Sequence, residues 1–397
     1  MTTTPHPLPP PPLDPPERLL LGPGPSPVTR QVLDAFARPT LGHLDPHFLR
    51  AMDEVRAMLW PLFGARPGHG RVLALSATGS AGMEAALVNL LEPGQRALIA
   101  AHGVFGLRMA EVARRAGAQV TVVESEFTHA PDLERLEAEA QRSQYAVLGI
   151  VHAETSTGVL QDLAPLRAIA DRAGALLVVD AVTSLGGLPV EVERHGVDAC
   201  YSATQKCLSC PPGLAPLYLS PRALARTTAR ATPSQSWYLD LALLEGYWGS
   251  DRAYHHTAPI QMIYGLHEAL RQVHLEGIDA RFTRHRLAAR ALWAGLESMG
   301  LELGVPTARR LAPLTVVRVP EGVDEASVRR RMLEHHGIEI GGGLGALKGR
   351  VWRIGLMGAG ATLSTVERCL TALGECLAAH GFTPRADGLH AARAAVA

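Results

Sequence analysis

The chain has 397 residues, 47% hydrophobic and 19% charged, which excludes global disorder and leaves room for two domains with large cores. Its 38 Lys and Arg balance 38 Asp and Glu, so no net positive field is available to draw nucleic acid or an acidic membrane, and neither is expected as a partner. Five cysteines, an odd number in a long chain, argue against a disulfide framework and fit a reducing compartment, taken to be the cytoplasm.

The chain opens with MTTTPHPLPPPPLDPPE. Proline removes backbone donors and favours extended conformations, so residues 1–17 are expected to be a disordered arm. The arm lacks the apolar core of a signal peptide, and no apolar stretch reaches membrane-spanning length. From residue 71 apolar runs alternate with helical patterns. RVLALS (71–76), RALIAA (96–101), QVTVVE (119–124), YAVLGIV (145–151) and ALLVVD (175–180) read as strands, with helices over 79–91, 104–116, 131–142 and 162–173 between them. Apolar strands separated by helices predict an α/β fold with a mostly parallel sheet covered on both faces. After about residue 275 come a long helix (278–299), strands at 313–320, 338–340 and 351–357, and helices at 324–336 and 363–380. The expected organisation is a large domain over 18–272, whose segment 18–50 lines the active site, a small C-terminal α/β domain over 273–385, and a tail over 386–397. The final ARAAVA matches no tripeptide address.

Ligands of open parallel sheets gather beyond the carboxyl ends of the strands. Three polar signals stand at such places. Ser76-Ala77-Thr78-Gly79-Ser80 joins a strand to a helix; its free N–H groups suit a phosphate, and equally an ordinary N-cap with a glycine turn. Asp180 closes a buried strand, where an acid needs a partner; it could cap the next segment, ligate metal or meet a cationic ring nitrogen. Lys206 follows VDACYSA and Thr204-Gln205 among small neighbours. A partly buried amine loses basicity and can form a Schiff base, although a lone lysine on a loop is commonly just a surface charge. Together the three match the needs of pyridoxal 5′-phosphate (PLP): its phosphate, its pyridine nitrogen and its aldehyde. Cys207 and Cys210 form a CxxC without a second pair, so no metal is expected. Glycines 341, 342, 343 and 345 do not follow a dinucleotide fingerprint and read as a turn.

At these residues the sequence resembles the class V aminotransferases, of the fold-type I PLP enzymes, and within them the alanine–glyoxylate and serine–pyruvate (serine–glyoxylate) group. The resemblance is carried by LLLGPGPSPV (19–28), the turn at 78–80 with EAALVNLLEPG (84–94), HGVFG (102–106), ETSTGVLQ (154–161), VVDAVTSLGG (178–187), SATQKCLSCPPG (202–213), YHHTAPI (254–260), IEIGGGLG (338–345) and RIGLMG (353–358).

The resemblance implies that Lys206 holds the cofactor as a Schiff base and moves the α-proton. It implies that Asp180 pairs with the ring nitrogen, and that Phe105 and Val182 pack on the two ring faces; many relatives have tryptophan or tyrosine at the Phe105 position. Thr78, Gly79, Ser80 and Gln205 would hold the phosphate, with Ser80 standing where some relatives have histidine. Thr155 would bond the phenolic oxygen, and Arg353 the substrate α-carboxylate. Gly24, in the Gly22–Pro25 turn, would line the substrate pocket; His43 stands near its mouth or, equally, is a satisfied loop histidine. Tyr254 and Thr257 would reach the neighbouring subunit's phosphate, which implies a homodimer. No chemistry is assigned to His255 or His256. The expected reaction moves an amino group from a small amino acid, alanine or serine, to glyoxylate or pyruvate by a ping-pong mechanism. An apolar pocket rejects an added hydroxyl only about 10²-fold, so the sequence does not rank the two donors. The alternatives are another donor (ureidoglycine, aspartate or 2-aminoethylphosphonate), a cysteine desulfurase, for which residues 211–368 offer no cysteine, and a non-catalytic PLP-binding protein.

Overall fold

The computed structural model describes residues 9–397. The expectation of disorder for residues 1–8 lies outside the described residues; 9–18 have no regular secondary structure, and most of them are exposed.

Seven strands form the large sheet, in the spatial order Arg71–Leu75, Ala215–Leu219, Ala199–Tyr201, Leu176–Asp180, Val147–Val151, Arg96–Ala101, Gln119–Glu124. Ala215–Leu219 runs antiparallel to both its neighbours, and the other pairings are parallel. Val147–Val151 and Leu176–Asp180 are buried along their whole length. A strand dry on both faces must be apolar throughout, which is why these segments do not alternate. The helices Gly79–Leu90, Val104–Arg115 and Leu166–Arg172 each follow or precede such a strand, so the polar residues that end the strands collect along one edge.

A four-stranded sheet has the order Leu19–Leu21, Ile338–Gly342, Val351–Gly355, Leu314–Arg318. Its first strand comes from the N-terminal segment and pairs in parallel with Ile338–Ile340. The segment assigned from sequence to the large domain therefore starts in the small-domain sheet. Two helices not read from sequence, Arg30–Phe36 and Pro46–Phe63, pack on Ile260–Glu276. The second starts where Asp45 accepts the His47 N–H with Pro46 in the first turn, and stops at Gly64 in the left-handed region (φ 68°). The backbone break before the long helix Ile278–Ser298 falls at Gly277 (φ 87°), a few residues beyond the boundary expected at 272–273. Residues 386–397, read as a tail, contain the helix Gly388–Ala394. Asp387 caps it through the Leu389 N–H, and Ala392 is fully buried against the helices Ile278–Ser298 and Leu363–Ala378. No helix among the described residues is long and apolar enough to cross a membrane.

Candidate functional site

A cavity of about 620 Å³ opens at the carboxyl edge of the large sheet. Eight of the expected site residues line it: Gly79, Ser80, Phe105, Thr155, Asp180, Val182, Gln205 and Lys206.

Asp180 ends its strand with the carboxylate turned inward. It accepts the Val182 N–H (2.8 Å) and the Tyr201 hydroxyl (2.9 Å). Burial pushes its carboxyl up to about 7, against the pull of those two bonds and of the Lys206 charge. Among the described residues it has no cation within ion-pair distance, so the site offers a cationic ligand atom a partner.

Lys206 faces it across the cavity. Burial brings its amine down to about 8, close enough to neutral pH for a sizeable unprotonated fraction. The ammonium donates to the Pro23 carbonyl. Gly24, at φ 111°, packs directly on the lysine: a Cβ there would fall 2.7 Å from Nζ. The same N-terminal turn is stitched to the lysine loop by the Ser26 N–H to Gln205 O (2.9 Å) and by Ser26 Oγ to Lys206 O (2.7 Å).

Gly79 begins the helix Gly79–Leu90, and its N-cap Thr78 makes no side-chain bond to the helix. Ala81 and Gly82 donate to the Thr78 carbonyl, which leaves the Gly79 and Ser80 N–H groups and the Thr78 hydroxyl for an anion. Close packing demands the glycine here: a Cβ at residue 79 would meet Ala203 Cβ at 2.7 Å. Phe105 and Val182 contribute partly exposed apolar surface to the cavity.

Arg353 stands just behind Thr155. Its guanidinium is buried; Nη1 donates to Thr155 O (3.0 Å) and Nε to Gly342 O (2.6 Å). Burial lowers it to about 10. No carboxylate lies within ion-pair distance among the described residues, so its remaining N–H groups are left for an acceptor such as a substrate carboxylate.

The other expected residues do not meet this cavity. Tyr254 is 64% exposed and lies against the His43 ring at 5.2 Å; Thr257 is exposed. The His43 loop is held by the Tyr247 hydroxyl on its carbonyl (3.0 Å) and by the helix that Asp45 caps, and His43 does not line this cavity. His256, given no role from sequence, bonds Ser76 Oγ at 2.7 Å beside the phosphate-type turn.

Sequence reasoning missed Glu154 as a separate group. Fully buried, it takes the Ser156 N–H and hydroxyl on one oxygen, and the Phe105 and Gly106 N–H groups on the other. It thereby caps the helix Val104–Arg115, whose N-cap is the side-chain-free Gly103. Burial raises its carboxyl. Arg108 also lines the cavity, its guanidinium 4.9 Å from the Phe105 ring centre. Spacing shows Arg108 one turn after Phe105; nothing local marks Glu154 as a cap. Among the described residues no cluster of His, Cys, Asp or Glu could hold a metal ion.

Comparison with known proteins identifies the architecture. The family model for aminotransferase class V matches residues 20–356. The alanine–glyoxylate aminotransferase of Oryctolagus cuniculus is 39% identical over 370 residues, covering 92% of this chain and 94% of that protein. The solved alanine–glyoxylate aminotransferase from Nostoc sp. superposes with a TM-score of 0.91 at 44% identity, over 93% of this chain and 98% of that one. The ureidoglycine–glyoxylate aminotransferase from Bacillus subtilis superposes with a TM-score of 0.93 at 37% identity, over 96% and 99%. An amine, a carboxylate and an anion-binding helix start around one cavity fit the aldehyde, ring nitrogen and phosphate of PLP. The chain belongs to the class V aminotransferases and is a PLP-dependent enzyme.

Proposed function

We propose that this enzyme moves the amino group of a small amino acid, alanine or serine, to glyoxylate or pyruvate in two half-reactions. The observation that supports the reading is the gathering of a desolvated amine and a buried carboxylate at one cavity, with a guanidinium that has no acidic partner standing just behind Thr155 in its wall. Relatives named for alanine and glyoxylate support the donor and acceptor.

When bound, PLP supplies an aldehyde carbon that carries the amino group and a ring that accepts electrons. Lys206 would take the proton from the donor Cα and hand it to the carbon of the cofactor's former aldehyde, and would carry a proton the opposite way, to the acceptor, in the second half-reaction; an amine of about 8 suits both directions. Asp180, kept in place by Val182 and Tyr201, would hold the ring nitrogen protonated. Thr78, Gly79, Ser80 and Gln205 would hold the phosphate, Phe105 and Val182 would pack on the ring, and Thr155 would bond the phenolic oxygen. Arg353 grips the substrate carboxylate, its fork already oriented by Thr155 and Gly342. Gly24 leaves the lysine room to swing. Cys369 and Cys376 are buried in a helix, which disfavours a desulfurase nucleophile.

We further propose a homodimer in which Tyr254 and Thr257 reach the phosphate of the neighbouring site. Its support is the exposure of both residues in their own protomer, beside the exposed Trp237 and Tyr238. A cytoplasmic location is proposed on the strength of five free, buried cysteines.

The test is an absorbance titration of the purified, cofactor-loaded protein. Alanine alone should convert the bound cofactor's absorbance band, and glyoxylate should restore it. A band that ignores both alanine and serine would sink the donor assignment. The reading favoured instead, if (S)-ureidoglycine alone converts the band, is that of the Bacillus subtilis relative.

A further inference from the structure

Lys206 stands on the loop that follows the large-sheet strand Ala199–Tyr201, Arg353 stands on a strand of the four-stranded sheet, and a charged cluster formed by Glu276 and the first turns of the long helix joins their segments. Glu276 precedes the break at Gly277; Arg281, Arg284 and His285 lie in the first turns of Ile278–Ser298. Arg281 is 5% exposed. Its Nη2 donates to the carbonyl of Cys207, the residue after Lys206 (2.7 Å), and its Nε to the Gly186 carbonyl (3.0 Å), in the loop that follows Asp180. Its Nη1 reaches Glu276 at 2.8 Å.

Arg284 reaches the other way. Its Nη1 donates to the carbonyls of Gly358 (2.9 Å) and Ala361 (2.8 Å), in the turn that follows the Arg353 strand. Nε and Nη2 clasp the two oxygens of the same Glu276, at 2.6 and 3.0 Å. His285 adds a third link: Nε2 accepts the Gly358 N–H (3.0 Å) while Nδ1 donates to Arg281 O (2.8 Å). Burial holds this imidazole down to about 3, so it stays neutral and keeps its acceptor. Finally, Ser209 Oγ on the lysine loop accepts the Ala359 N–H at 2.7 Å. Glu276, Arg281, Arg284 and His285 do not line the cavity.

An arrangement built only to neutralise charge would not need planar forks, each spending its donors on two backbone carbonyls and a shared carboxylate. We propose that Glu276, Arg281 and Arg284 are positioning residues for transamination: one guanidinium fixes the lysine loop, the other fixes the turn beyond Arg353, and Glu276 locks the two together. The device sets the separation between the proton-moving amine and the carboxylate-gripping guanidinium. It rests on the reading of Lys206 and Arg353 given above.

The test compares the wild type with Arg284→Gln and Arg284→Lys, full-length and cofactor-loaded. Misplacing a substrate by about 1 Å costs on the order of 100-fold, so kcat/KM for the donor should fall about 10- to 100-fold in Arg284→Gln, with cofactor content unchanged. Arg284→Lys keeps a cation against Glu276 but cannot bridge both carbonyls, so it should recover melting temperature without recovering kcat/KM. Hydrogen exchange of the cofactor-free proteins should be faster at 356–361 in both variants. Normal kcat/KM in Arg284→Gln, recovery of kcat/KM by Arg284→Lys, or unchanged exchange would each overturn the proposal. A wild type unable to exchange amino groups with any donor would instead remove the reading of Lys206 and Arg353, while the exchange experiment still decides whether the cluster holds the turn.

Discussion

Replacing Asp180 by Asn isolates one buried charge. The amide fits the same space, still accepts the Val182 N–H, and can donate to the Tyr201 oxygen, so both contacts survive. What changes is ionisation. In the folded, cofactor-free protein burial pushes the Asp180 carboxyl from its ordinary 3.8 up to about 7. Between those values the native state holds a proton that the unfolded chain releases, so the contribution to stability falls as pH rises. At pH 5, about two units below the folded value, that contribution is about 3 kcal/mol; by pH 8 it is nearly gone. The variant has no such dependence. Urea denaturation of both cofactor-free proteins from pH 5 to 8 should therefore show the wild type losing about 3 kcal/mol relative to Asp180→Asn. His102 and His152, which burial brings down to about 3 and about 4, titrate alike in both proteins and cancel in the difference. A stability difference flat across this range would refute the account of Asp180 as a desolvated acid awaiting a cation. With cofactor present the order should reverse: loss of a charged hydrogen bond worth about 1.5–3 kcal/mol weakens cofactor binding about 10- to 100-fold in the variant, measurable by dialysis against limiting PLP.

Four further outcomes are expected. Lys206→Ala should lower single-turnover conversion of alanine by more than about 100-fold, read by absorbance, since a positioned general base contributes at least that much. Arg353→Lys keeps a charge but loses the fork bonded to Thr155 and Gly342; donor kcat/KM should fall about tenfold or more, and an unchanged value would remove its carboxylate role. Gly24→Ala places a methyl 2.7 Å from the Lys206 amine at φ 111°; it should cost roughly 1–2 kcal/mol in thermal stability and slow the first half-reaction. Glu154→Gln sets an NH₂ against N–H donors now bound by carboxylate oxygens. It should destabilise the protein by about 1–3 kcal/mol in urea, and a silent substitution would contradict its capping of the Phe105 helix.

The central strands were legible because burial on both faces makes them continuous apolar runs, and Asp180 stood out as the polar residue that breaks one. Lys206 gained its meaning only in company with Asp180 and the 78–80 turn. Other features depend on contacts that local pattern does not carry. Strand Leu19–Leu21 is three residues long, and its partner is Ile338–Ile340. Ala215–Leu219 contains Pro216 and follows Pro211-Pro212, which disguises a strand wholly buried in the sheet. The helix Pro46–Phe63 carried readable signals, an Asp45 cap with Pro46 and a terminating Gly64, that a reading of 18–50 only as a segment lining the active site passed over. Glu154 caps a helix 49 residues before it in the chain, and only folding reveals that. Tyr254 and Thr257 are where the motif stands and lie away from their own cavity, a placement that only the family resemblance, not local pattern, led one to expect.

The edge strand Leu19–Leu21 has a bearing on biosynthesis. Arg18 bonds the carbonyl of Leu333, 315 residues downstream, and the strand pairs just beyond it. A ribosome releases the first of these pieces long before the second. The Pro23–Gly24 turn that presses on Lys206 hangs directly from that strand and is tied at its other end to the lysine loop through Ser26, so one anchor of the wall over the reactive amine can form early and the other only after nearly the whole polypeptide has emerged. Closing this 315-residue separation and finishing the catalytic pocket are then one late event, and a nascent chain stalled before residue 338 would carry the wall over its lysine without the strand that anchors it.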